Sequence, residues 1–413
     1  MAAKIVQSLF DITNLPKDAQ KVLQDFDQIA QAAMPANSKQ LVALPKQIRE
    51  LSHQMTDDRS SRRLGYMNEK TFLAAYVRYF AWWNLVRLTR LFCNLDFSFL
   101  KDGDVCLDIG SGPLTLPCAL WLSRPDLRQK KLVWYVMDIS QLALSIGEEV
   151  FLSVAAATGG EPWKIVRVKG ALGTAVKEKA RFVTCANMFN ELLQSRGGEP
   201  PDFLAKKYSQ SLFKYLDFEN GPENEVRAKS GEGGQAIFLA EPGTPNSARF
   251  VSLMRDAFIR RGLFALAPCP HQQSCPMDGR KSGKSGATGK WCNFAFETDD
   301  APKKLLALSA RAGIPKERAV ISFVYARSET ACKPKTCGGR IRIASDIIRL
   351  PAAEPGLKPR IGHYACSEQG LVLALSKGGH RVYSGDLVEI ENAGKPKSGA
   401  ARDAKTGAFI VEI

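Results

Sequence analysis

An α/β fold built on a mostly parallel sheet is what the sequence predicts. Three observations predict it. Short apolar runs recur between residues 105 and 297, helical stretches separate them, and a glycine-rich turn directly follows the first run. Strands alternating with helices form a parallel sheet whose ligands sit at its carboxyl edge.

The elements follow in order. Residues 1–100 read as helical; over 71–95 Phe72, Ala75, Tyr76, Tyr79, Phe80, Trp83, Val86 and Leu91 fall close to one helical face. Arg59, Arg62 and Arg63 precede that face and mark either an RNA contact or a solvated helix surface. The core occupies 101–300. Strands are predicted at 105–109, 132–137, 164–168, 181–186, 235–240, 263–267 and 291–297, with helices at 114–122, 141–156 and 247–260. A Cys-rich loop, 268–292, lies inside this core, and its Gly/Lys/Ser-rich stretch, 278–290, reads as a flexible basic insertion. Gly283-Lys284-Ser285 within it is no phosphate-binding loop, because Asp278 stands where the first glycine is required and no strand feeds it. Residues 301–413 read as a small β-rich C-terminal module of short runs punctuated by Gly and Pro.

With 413 residues the chain exceeds one compact core. Its formal net charge of +15 favours a polyanionic partner through counterion release from phosphates. No apolar run approaches the ~20 residues of a membrane span, and the N-terminus mixes Asp11, Lys17, Asp18, Asp25 and Asp27, unlike a signal or transit peptide. A cytoplasmic, bacterial protein with no membrane role is expected.

The turn after the first strand reads Asp108-Ile-Gly110-Ser111-Gly112-Pro113. Its glycines let backbone approach a ligand, but the third position of the dinucleotide fingerprint carries Thr115. An acid ahead of the glycines and a second acid, Asp138, at the end of the second strand form the arrangement of S-adenosylmethionine sites. There the first acid serves the ligand's ammonium group and the second its ribose hydroxyls. The prediction is therefore a class I S-adenosylmethionine-dependent methyltransferase (Rossmann-like) core, with Asp108, Gly110, Ser111, Gly112, Asp138 and Asn187 as cofactor-binding candidates. The loop after the fourth strand, Asn187-Met-Phe-Asn190-Glu191, lacks the prolines of exocyclic-amine methyltransferases. Asn190 and Glu191 either bind substrate or cap the next helix. Cys185 lies within the strand run and reads as a buried hydrophobe, so no catalytic base or nucleophile is assigned.

Of ten cysteines, six fall after residue 268. Cys269-Pro-His271-Gln-Gln-Ser-Cys275-Pro precedes Trp291-Cys292, and Cys366 comes much later. In a cytosolic chain thiolates suit zinc or iron–sulfur clusters better than disulfides. The gaps fit a zinc knuckle poorly. Cys332 and Cys337 form a rival pair, and His271 is either a ligand or a loop residue.

These motifs, with Glu241-Pro-Gly-Thr244, resemble the Rsm-type methyltransferase-like proteins of the ribosomal small subunit, including the mitochondrial small-subunit assembly factor. The resemblance spans about 60–375. It implies a [4Fe–4S] cluster on Cys269, Cys275, Cys292 and Cys366, with zinc as the alternative metal, and association with rRNA in the small ribosomal subunit or its precursor. Two functions are expected to compete: an rRNA-binding assembly factor carrying a cofactor fold and a cluster, or an active S-adenosylmethionine-dependent rRNA methyltransferase whose metal site is structural. Radical S-adenosylmethionine chemistry is excluded, because no Cys-x3-Cys-x2-Cys spacing occurs.

Overall fold

The computed structural model describes residues 4–56, 65–195, 199–218, 234–280, 289–328, 339–352, 359–376, 381–390 and 401–413. Arg59, Arg62, Arg63, Gly283-Lys284-Ser285, Cys332 and Cys337 lie outside the described residues. Strands run in chain order as β1 (Lys4–Ser8), β2 (Val105–Ile109), β3 (Val133–Asp138), β4 (Lys164–Lys169), β5 (Phe182–Ala186), β6 (Ala236–Glu241), β7 (Phe264–Ala267), β8 (Phe294–Glu297), β9 (Arg318–Arg327), β10 (Arg340–Ile343), β11 (Ile348–Leu350), β12 (Arg360–Ser367), β13 (Gly370–Leu375), β14 (Asp386–Glu389) and β15 (Phe409–Glu412).

The core sheet has the order β4-β3-β2-β5-β6-β9-β7. The first five are parallel to one another, and β9 runs antiparallel between β6 and β7. Counted from β2, this is the sequence 3-2-1-4-5-7-6 with a reversed seventh strand, the class I methyltransferase arrangement that the sequence predicts. The parallel strands are buried on both faces and so read as continuous apolar runs. Alternate residues serve the two faces. Cys106, Trp134, Phe182 and Phe238 join the larger core under helices Trp82–Phe92, Thr115–Ser123 and Gln141–Thr158, whereas Leu107, Val183, Cys185 and Leu239 join the second core under helices Pro201–Phe213 and Pro245–Arg260.

Two boundaries move from their predicted places. The core takes its seventh strand from 318–327, beyond residue 300, because β8 at 294–297 pairs only with the N-terminal half of β9. β1, inside the region predicted to be helical, adds antiparallel to β14 and so belongs to the C-terminal sheet. That sheet has the order β1-β14-β10-β12-β13-β15. β10, β12 and β13 form an antiparallel meander; β14 returns antiparallel to β10 and β15 runs parallel to β13. This is the strand connectivity of the five-stranded Greek-key fold of oligonucleotide-binding type, with no pairing of β15 to β14 or β1 among the described residues, and the likeness, at fold level, assigns no ligand. Its interior holds Ile341, Ile343, Ala365, Val372, Ala374 and Val388. The opposite side of β12 and β13 carries Tyr364, Cys366, Leu373 and Leu375 into the main core. The surface that such folds commonly give to ligands is thus turned inward.

Candidate cofactor and cysteine sites

A cavity opens at the carboxyl edge of the parallel strands. Its floor comes from Ile109, Gly110, Asp138, Asn187 and Met188, and residues 65–67 with Tyr76 of the N-terminal region close it. Gly110 and Gly112 adopt φ of +70° and +50°, and Leu114 follows at +54°. Two glycines are required here because left-handed backbone is costly for other residues. A Cβ at Gly110 would lie 2.8 Å from the Met188 side chain, so this turn is also closely approached from β5.

Five of the six candidates fall into two layers, and Gly112 bridges them through its N–H to Asp138. Gly110, Asp138 and Asn187 line the cavity. Asp138 spans the floor, its carboxylate accepting from the Gly112 N–H at 2.9 Å and the Ser140 N–H at 2.8 Å. Asn187 is held at φ +60° by donating its N–H to the Ala240 carbonyl. Asp108 and Ser111 lie beneath the turn: Ser111 Oγ and Thr184 Oγ1 each donate to the Asp108 carboxylate at 2.7 Å. Burial pushes the Asp108 carboxyl up to about 7, against those two hydroxyls. Cys185 is fully buried with its thiol pushed far up, which suits a packing residue and not a nucleophile.

Glu241 has a role the sequence analysis did not assign. It is buried at the end of β6, where its two oxygens accept from the Phe189 and Asn190 N–H groups at 2.8 and 3.0 Å. It therefore anchors the first turn of helix Phe189–Ser195 and fixes the loop that carries Asn187. Burial raises its carboxyl to about 8. An acid at a strand end was the available signal. Both folded values lie above the ordinary ones, so the folded chain holds extra protons, and this stability is full below about pH 4. It is lost as pH rises through 7 and 8, at up to ~1.4 kcal/mol per pH unit per group. Thermal melts of the cofactor-free chain between pH 5 and 9 should show the decline. It should flatten in Asp108→Asn/Glu241→Gln, and an unchanged slope in that variant would contradict this assignment.

The second site gathers Cys269, which follows β7, Cys275 and Cys292 on the loop to β8, and Cys366 on β12. The four act on one another electrostatically, with burial the larger cause raising the Cys275, Cys292 and Cys366 thiols. Two buried guanidiniums face them. Arg255 donates from Nε to Cys269 Sγ at 3.1 Å and from Nη2 to the His271 carbonyl at 2.8 Å. Arg342, 1% exposed, stands opposite Cys366 in the β10–β12 register and lies within electrostatic reach of Cys366, Cys269 and Cys292. Its three nitrogens donate to the Pro268 carbonyl, the Gly385 carbonyl and Gln7 Oε1. Arg255 is already paired with Asp256, whose Oδ1 accepts from its Nη1 at 2.6 Å, so it is the buried charge of Arg342 that a thiolate would compensate. The sulfur donors are of the kind that holds a soft metal group. His271 is buried and pushed down to about 4 by burial and Arg255, so it is neutral. Among the described residues no three His, Cys, Asp or Glu side chains stand close enough together to hold a single metal ion.

The model of the family described as mitochondrial small ribosomal subunit Rsm22 matches residues 219–354, which include Glu241–Thr244 and three of the four cysteines. No curated protein matches the chain. Solved structures similar to this chain include an S-adenosylmethionine-dependent methyltransferase from Geobacter sulfurreducens in complex with S-adenosyl-L-homocysteine. It is 13% identical over 67% of this chain and 97% of that one, with a TM-score of 0.30. Another, from Thiobacillus denitrificans with the same ligand, is 13% identical over 59% and 90% of the two chains, again at 0.30.

Proposed function

We propose that this chain is a cytoplasmic rRNA-binding assembly factor of the small ribosomal subunit, built on a fold that holds S-adenosylmethionine and on a [4Fe–4S] cluster. The observation that supports it most is the convergence of four cysteines from two modules around two buried guanidiniums, three of them inside the segment matched by the Rsm22 family. Cys269, Cys275, Cys292 and Cys366 would hold the cluster. A cluster spreads its thiolates over its own body, whereas zinc draws four sulfurs to about 2.3 Å from one centre. When bound, the cluster would supply the bonds that tie β12 of the C-terminal sheet to the core loop, so that metal binding adds to folding stability.

Asp138 and the Gly110–Gly112 turn would seat S-adenosylmethionine, its ribose hydroxyls on Asp138. Asp108, with its carboxyl raised by burial, would sit under the ligand's cationic end. A second reading, an active rRNA methyltransferase, is favoured by Asn187, which lines the cavity beside that seat.

Metal analysis of anaerobically purified protein tests the first reading. About four iron and four sulfide per chain are expected, together with co-sedimentation with small-subunit precursors. One zinc and no iron would remove the cluster from the proposal. Absence from every ribosomal fraction would remove the assembly role. Methyl transfer to small-subunit rRNA from a strain lacking the gene would establish the second reading.

A further inference from the structure

The helical run that begins at Lys70 has a property that neither site uses. It passes from α-helix (Lys70–Ala75) through a π-helical stretch (Tyr76–Ala81) into α-helix again (Trp82–Phe92). Such widened turns re-aim side chains and recur at functional positions. Here the result is a line of rings leaving the cofactor cavity. Tyr66 and Tyr76 line the cavity with centroids 6.4 Å apart, and Phe80 stacks on Tyr76 at 5.8 Å and 29°. Tyr76 and Phe80 are only half-buried.

Two cations stand farther along. Lys316 Nζ lies 5.9 Å from the centroid of the Trp83 ring, and Arg87 follows Trp83 by one helical turn. Arg87 donates to Asn84 Oδ1 at 2.8 Å, while its buried Nε has no partner among the described residues. The groups acting on Arg87 are the Tyr79 and Tyr76 phenols, and Arg87 itself acts on Lys316. Burial and this repulsion push the Lys316 ammonium down to about 8. Two like charges, partly desolvated and with no carboxylate between them among the described residues, form a site that an anion would relieve.

We propose that Tyr76 and Phe80, with Arg87 and Lys316, form a track for single-stranded RNA that ends at the cofactor cavity. The proposal rests on the RNA-binding reading above and specifies its surface. Stacked rings with part of their surface exposed suit unpaired bases, whose faces a duplex hides. Cations at one end suit phosphates. A chain of net charge +15 gives the same preference over an acidic or apolar protein groove.

The test is fluorescence anisotropy of the full chain with a labelled 12-nucleotide oligouridylate and with a duplex of equal length, across a salt series. The single strand should bind more tightly. Arg87→Gln/Lys316→Gln should lower the slope of log affinity against log salt by about 1.4, at ~0.7 per lost phosphate contact. Phe80→Leu should weaken binding at least about fivefold, the low end of one base–aromatic stack. Thermal melts confirm that each variant is folded. Should Phe80→Leu fail to fold, crosslinking of 4-thiouridine RNA to wild type should place the adduct within residues 70–92. Unchanged slope and affinity in a folded double variant, or crosslinks only elsewhere, would overturn the track while RNA binding stands. No RNA binding by wild type would overturn both readings. A double variant altered in self-association but not in RNA affinity would give this face to a second copy and also overturn the track.

Discussion

With the proposed cluster bound, Cys366→Ser is expected to lose most of the iron and to cost about 3–5 kcal/mol of stability, the range for removing one partner of a buried charged pair. The effect should exceed that of an ordinary buried cysteine because of where Cys366 stands. It pairs in register with Arg342 on β10 and with Leu371 on β13. Arg342 in turn binds Gln7 of β1, the Gly385 carbonyl ahead of β14 and the Pro268 carbonyl next to Cys269. One guanidinium therefore links the first strand of the chain, the C-terminal sheet and the cysteine loop. A metal-bound thiolate would compensate its charge; a serine hydroxyl would not. Hydrogen exchange should quicken in β1, β12 and β14 together, with β2 and β5 little changed. Cys118→Ser, at a buried cysteine under the core sheet, should keep its iron. Full iron content and wild-type exchange in Cys366→Ser would sink the coupling of metal to docking of the C-terminal sheet.

The core was legible in the sequence because its strands are parallel and buried. Runs such as 105–109 and 235–240 stand out as apolar segments with helices between them, and six of the seven predicted strands match observed ones within two residues, the run 291–297 starting three residues early. β9 was harder. Its ten residues serve two partners, β6 and β7 toward one end and β8 toward the other, and it follows the short helix Lys303–Arg311, so it reads equally as the start of a β-rich tail. β1 had no local signal. It is an exposed five-residue edge strand, and its partner Asp386–Glu389 is almost the whole chain away.

The same division runs through the sites. Asp138 and the glycines carry a local pattern, whereas Arg255 and Arg342 are two cations in a chain with 57 Lys and Arg. Only tertiary structure brings them to the thiols. The depth of Asp108 is likewise a property of the fold, since the spacing that marks it as a candidate does not say whether its carboxylate faces the cavity or, as here, Ser111 and Thr184.

Gly147→Ala is expected to destabilise the chain by about 3 kcal/mol and to weaken S-adenosylmethionine binding at least tenfold. Helix propensity argues the other way. Gly147 lies inside helix Gln141–Thr158, where alanine is favoured over glycine by roughly 1 kcal/mol. Packing decides the sign. A Cβ at Gly147 would lie 2.6 and 2.7 Å from the carbonyl carbon and Cα of Pro113 and 2.5 Å from Leu114 Cδ1. Two of those atoms are backbone and cannot rotate aside. Leu114 is fully buried in left-handed conformation, so it has little room to yield. The helix must lift or the turn must move, and overpacking of this kind costs ~1–3 kcal/mol or more. The turn it would move is the one whose Gly112 N–H is bonded to Asp138, so the displacement reaches the proposed ribose seat directly. Gly159→Ala is the matched control: no atom lies within 4 Å of its Cβ, and only the strain of φ +76° remains. Calorimetric titration of S-adenosylmethionine into both variants, with melts alongside, separates the two effects. A Gly147→Ala chain that melts at or above wild type and binds the ligand equally well would show that helix Gln141–Thr158 does not hold the glycine turn in place.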